Sequence, residues 1–152
     1  MDKKQFDYII YTDGAYSRQH DEGAFAYVML DAMQEKVVKQ GAWKIQRETN
    51  NRAELKAIIA AIYHLPQEAK SVKVVSDSQY ALNTLSGRWG RNANKDLFDK
   101  FEEIIANHPI DIFYEWVKGH SGDIYNEICD QLCVNVLGYD PVDEYKKYIE
   151  RK

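Results

Sequence analysis

At 152 residues and 45% hydrophobic, the chain has the size at which one domain buries roughly two-thirds of its unfolded surface, so a single core is expected over residues 1–152. Charged residues make up 29% and the net charge is only −4, which excludes both a disordered polyelectrolyte and a uniformly basic nucleic-acid coat. No apolar run approaches the roughly 20 residues of a membrane helix or forms a signal peptide, so a soluble, cytoplasmic protein is expected, acting as a monomer and not on a membrane.

The first strand is expected over Phe6 to Thr12, ending at Asp13-Gly14, so that an acid sits where strand gives way to turn. Gly23 to Leu30 reads as a second strand, and Lys36 to Ile45 as a third that is interrupted at Gly41. Short links between the three predict an antiparallel meander. From Thr49 the period becomes helical, with Leu55, Ile58, Ile59, Ile62 and Leu65 on one face until Pro66 stops it. Thr49, Asn50 and Asn51 are candidate N-caps, which puts Glu54 in the first or second turn beside the apolar stripe.

Val72 to Ser76 is a short strand that again ends at an acid, Asp77. A brief helix follows over Ser78 to Leu85, then a loop over Gly87 to Asn94 and a helix over Asp96 to Ile105 that Pro109 closes. Ile110 to Val117 alternates as a strand. Lys118 to Gly122 is a flexible loop, and Asp123 caps a last helix that runs through Leu137 to a stop at Gly138. Cys129 and Cys133 share one face of that helix and lack the partners of a zinc site, so they are expected as buried free thiols. The tail 139–152 has a role that the pattern leaves open. The order βββαβααβα predicts an α/β fold: a five-stranded mixed sheet, a three-strand meander plus two parallel strands, flanked by helices.

Asp13 and Asp77 at strand ends, with Glu54 and Asp130 on helices, can meet at one edge of such a sheet, where open α/β sheets build sites. Each acid alone reads as a turn, cap or solvated residue. Together they would repel one another unless cations neutralise them. Hard oxygen ligands suit Mg²⁺ or Mn²⁺, and two such ions about 3.5–4 Å apart can activate water and stabilise a leaving oxygen in phosphodiester hydrolysis.

Five segments in order carry a family resemblance: YTDGA at 11–15, TNNRAEL at 49–55, SDSQY at 76–80, WVKGHSG at 116–122 and NEICD at 126–130. On these the chain resembles the type 1 ribonucleases H, of the kind without a basic handle. The resemblance implies an endonuclease that cuts the RNA strand of RNA–DNA hybrids by a two-metal-ion mechanism and leaves 5′-phosphates, with Mg²⁺ as cofactor and Mn²⁺ as a substitute. It assigns Asp13, Glu54 and Asp77 to one ion, Asp13 and Asp130 to the other, and His120 to proton transfer or product departure. It also assigns Asn50, Asn51 and Gln79 to the minor groove of the hybrid, and Arg47, Thr49 and Asn94 to a pocket for a DNA-strand phosphate. Two departures stand out: a polar turn at Ser17 to Glu22, and a segment between Asp77 and Asn94 too short for a handle. Two other readings fit the same fold. An inactive hybrid-binding module is opposed by the presence of all four carboxylates, and a transposase- or integrase-like nuclease by TNNRAEL and KGHSG occurring together.

Overall fold

In the computed structural model, residues 6–119 and 122–138 are described. Strands β1 (Tyr8–Ser17), β2 (Glu22–Asp31) and β3 (Lys36–Gln46) form the meander. They are followed by α1 (Asn50–Tyr63), β4 (Ser71–Ser76), α2 (Gln79–Leu85), α3 (Lys95–Asn107), β5 (Asp111–Trp116) and α4 (Ile124–Leu137). The strands lie in the order β3-β2-β1-β4-β5, the first three antiparallel and the last two parallel to β1. The expected fold class and element order are both present.

Alternation along β2 sorts the layers. Tyr27 and Met29 face a core built with α1, α2 and α3, while Ala24, Ala26, Val28 and Leu30 face α4. Ile58, fully buried at the centre of the larger core, is the kind of side chain whose truncation to Ala costs about 2–5 kcal/mol. The stripe of α4 that meets the sheet is Asn126, Cys129, Cys133 and Leu137. Both cysteines are free and buried, and the Cys129 thiol donates to the Tyr11 carbonyl at 3.2 Å. Burial, reinforced by the charge of Asp13, pushes both thiols above their usual range, so they stay protonated and inert.

Three boundaries differ from expectation. β1 does not end at Asp13: it continues to Ser17, because β2 pairs with it residue by residue from Tyr8↔Asp31 to Ser17↔Glu22. β3 is not interrupted at Gly41, which pairs with Tyr27; its irregularity is a register shift opposite Met29 and Leu30. α1 stops at Tyr63, before Pro66, with the His64 amide closing the last turn onto Ala60 and Ala61.

Between α2 and α3 lies only the turn 86–94. It is stapled by Arg91, whose guanidinium donates to the Thr84 and Leu85 carbonyls at 2.9 and 3.1 Å, pairs with Glu102 and sits over the Phe98 ring. Lys95 pairs with Asp99. Of Arg88, Arg91 and Lys95, Arg88 alone makes no ion pair among the described residues.

Candidate active site

The site forms where β4 falls short of β1. Their pairing ends at Tyr11↔Val75, so beyond Thr12 the β1 edge that faces β4 is open. Asp13 therefore lies inside a strand on its β2 side and at a free edge on its β4 side. Asp77 follows the last residue of β4. Glu54 reaches the same gap from the second turn of α1, whose start is fixed by the Thr49 hydroxyl accepting the Arg52 amide at 3.1 Å.

Close approach of α1 to β1 depends on Gly14. A Cβ there would lie 2.6 Å from the Ala53 carbonyl carbon and 2.7 Å from the Glu54 nitrogen, so a side chain would force the helix away. The Gly14 amide lies near enough to the carboxylates of Asp13 and Glu54 to offset part of the rise in both. On the other side, Trp116 Nε1 donates to the Asp77 carbonyl at 3.1 Å, and a Cβ at Gly119 would lie 2.8 Å from Asp77 Oδ2. The segment leading to His120 thus packs directly on an acid of the site.

One carboxylate oxygen from each of Asp13, Glu54 and Asp77 lies within 4.8 Å of the others. Asp130 joins them in lining a pocket of about 170 Å³, with Gly14, Ala15, Asn50, Asn126 and Glu127. Burial, then the charges of Asp77 and Asp130, raise the Asp13 carboxyl well above its ordinary range. Burial, then Asp13 and Asp77, do the same to Glu54. Glu54 Oε1 and Asp77 Oδ1 are buried with no hydrogen-bond partner among the described residues. Clustered hard oxygens that lack donors are what a divalent cation satisfies, so these residues fit one.

The other expected residues are distributed more widely. Asn50 Oδ1 accepts the Tyr16 amide at 3.0 Å, and the residue lines the acidic pocket. Asn51 is exposed on the first turn of α1. Gln79 is exposed at the start of α2 and lines a neighbouring groove with Arg88 and Trp116. Arg47 is exposed, with φ 56° and its amide donating to Asp21 at 3.2 Å. Thr49 serves as the cap of α1. Asn94 is held from both ends of its amide, accepting from Arg52 at 3.3 Å and donating to the Tyr80 hydroxyl at 2.9 Å. His120 lies outside the described residues. Asn126, which had no role from sequence, lines the pocket; its place one turn before Asp130 was the available signal.

A family model described as RNase H matches residues 5–137. This chain belongs to the RNase H family. It is 37% identical over 153 residues to the ribonuclease HI of Pasteurella multocida, an alignment covering 87% of this chain and 96% of that protein. It is 30% identical over 148 residues to the ribonuclease H of Trichodesmium erythraeum, covering 88% and 90%. Among solved structures, the N-terminal RNase H domain of a Mycobacterium tuberculosis protein, fused to maltose-binding protein, matches with a TM-score of 0.74 at 26% identity. That match covers 88% of this chain and 94% of the other.

Proposed function

We propose that this protein is an endoribonuclease that hydrolyses the RNA strand of RNA–DNA hybrids with two Mg²⁺ ions, Mn²⁺ being able to replace them. The observation that carries this reading is the convergence of Asp13, Glu54 and Asp77, of which Glu54 and Asp77 each bury an oxygen without a hydrogen-bond partner among the described residues, in a pocket that Asp130 also lines. Asp13, Glu54 and Asp77 would hold one ion, and Asp13 with Asp130 the other. When bound, the ions lower the pKa of an attacking water and stabilise charge on the leaving oxygen.

The chain's own groups do the rest. Gly14 holds α1 against β1, which keeps Glu54 beside Asp13. Trp116 and Gly119 hold the Asp77 turn. His120, the residue after Gly119, transfers a proton or eases product departure. Asn50, Asn51 and Gln79 supply amides to the minor groove, where the 2′-hydroxyls distinguish RNA. Arg47, Thr49 and Asn94 take a DNA-strand phosphate. We read the chain as one domain, acting as a monomer in the cytoplasm, a setting that suits its free thiols. No described helix is long and apolar enough to cross a membrane.

The test is a labelled RNA–DNA hybrid incubated with and without Mg²⁺, beside RNA duplex, DNA duplex and single-stranded RNA. Metal-dependent loss of the hybrid's RNA strand alone is expected. Binding without cleavage in Mg²⁺ or Mn²⁺ would indicate a hybrid-binding module instead. Because Arg91 and Lys95 are engaged within the fold, hybrid binding in Ca²⁺ should show a salt slope of only a few, each phosphate neutralised adding about 0.9.

A further inference from the structure

Asn126, the third residue of α4, is only 5% exposed. Its side-chain oxygen Oδ1 is buried, has no hydrogen-bond partner among the described residues and belongs to a residue lining the carboxylate pocket. A native fold seldom keeps a buried amide oxygen unsatisfied without a use for it. Local structure supplies none. The start of α4 is capped by Asp123, which accepts the Tyr125 and Asn126 backbone amides at 3.0 and 3.1 Å, so the Asn126 side chain is not needed there. Packing does not call for an amide either, since the other buried side chains along this stripe are Cys129, Cys133 and Leu137.

What Oδ1 lacks is a donor, and the carboxylates around it, once ionised to hold a cation, can only accept. A carboxylate pocket that takes up a divalent cation acquires donors with it, because Mg²⁺ dehydrates reluctantly and usually keeps several waters. Asn126 and Asp130 are four residues apart on a helix and so share one face. They approach the pocket from α4, apart from the trio of Asp13, Glu54 and Asp77. A neutral acceptor also suits this position, since a further carboxylate would add repulsion to an already acidic cluster.

We infer that Asn126 is a positioning residue for the divalent ion on the Asp130 side, its amide turning toward the pocket so that Oδ1 accepts a hydrogen bond from that ion's hydration water. The inference rests on the ion-binding reading of the four acids. Mn²⁺ is the probe, titrated calorimetrically into the whole chain bound to a hybrid whose RNA strand is blocked against cleavage. Asp130→Asn identifies the step belonging to its side of the pocket. Asn126→Ala should weaken that same step by roughly 10–100-fold, the range for loss of a partner outside the ligand set. Asn126→Asp, which keeps an acceptor, should retain or tighten it.

Native-like Mn²⁺ binding by Asn126→Ala would overturn the inference, and so would an Asn126→Asp variant weakened as much as Ala, because the amide would then be acting as a donor. If Asn126→Ala does not fold, Asn126→Asp against Asn126→Leu decides on the same terms. A native chain that binds no Mn²⁺ would overturn the ion reading itself, an outcome distinct from variants that bind Mn²⁺ as the native chain does.

Discussion

Helix α1 carries charges into two clusters only two residues apart, and they are built on opposite principles. Arg52 donates from Nε to Glu48 at 2.6 Å and from its two terminal nitrogens to Asp96 at 2.9 and 2.8 Å, while Lys56 also pairs with Glu48. Hydrogen bonding from Arg52 brings the Asp96 carboxyl down to about 2. Burial alone would raise Glu48, but its bonds to Lys56 and Arg52 outweigh that and leave it lowered. Glu54, on the inward side of the same helix, has carboxylates for neighbours and is pushed well up. Every acid in the first cluster meets a cation belonging to the protein, whereas the acids of the second face one another and, on the function proposed above, would take their cations from solution. Satisfied charge marks a joint between α1 and α3, and unsatisfied charge marks the place for chemistry.

The sharpest break of this contrast is at the second cluster. Asp13→Asn or Asp77→Asn should lower hybrid cleavage by about 10³-fold or more, since metal charge stabilisation is worth several kcal/mol and each 1.36 kcal/mol is tenfold. Circular dichroism should show the fold retained, and near-normal turnover by either folded variant would remove the assignment of these acids. His120→Ala should cost roughly 10²-fold or less in turnover with metal affinity unchanged. Calorimetric loss of Mn²⁺ binding in that variant would make His120 a ligand.

Substitution in the first cluster should have the opposite profile. Arg52→Ala should destabilise the chain by about 1–2 kcal/mol through the lost Glu48 contact, with exposed Asp96 adding little, as read by urea denaturation. Its Mn²⁺ affinity should be native. A loss of metal binding equal to that of Asp13→Asn would show that the two clusters are not separate in function.

The smallest effect is a pH dependence. Asp13 and Glu54 have folded pKa values raised above their ordinary 3.8 and 4.5, so the folded state holds protons that the unfolded state has released. Their contribution to stability is therefore greatest below the ordinary carboxylate range and declines as pH rises above it. In EDTA, Tm should drift down over that rise from this source, and Mg²⁺ should restore it progressively more as pH increases. A Mg²⁺ effect on Tm that does not vary with pH would remove the link between raised carboxyls and ion binding.

The elements were legible because each change of period is local: alternation in the meander, the 3.6-residue stripe of α1, the Asp123 and Gly138 signals around α4. The extent of β1 was not. Whether Asp13 ends a strand depends on which neighbour keeps pairing, and β2 and β4 give different answers. The four acids at strand ends and on helices pointed toward one edge, but dividing them between two ions drew on the family pattern, since placement alone left each a turn, cap or solvated residue. Asn126 offered in sequence only its place one turn before Asp130, because an amide becomes conspicuous only when it is buried without a partner. Asn94 lay in a loop by sequence, and its anchorage between Arg52 and Tyr80 links positions too distant to be read from spacing.

The early end of β4 makes chain length at this point more critical than side-chain identity. β1 runs on for residues 12–17 after its last pair with β4, and the pocket occupies the place of the missing rungs. One residue inserted between Val75 and Asp77 would carry the acid about 3.3 Å onward and turn its side chain to the other face of the sheet. The same insertion at the exposed residues 88–90, short of the Arg91 staple and of Asn94, would only lengthen a surface connection. A map of insertion tolerance along this chain would thus show a sharp minimum a few residues wide at the end of β4, with a permissive plateau ten residues downstream.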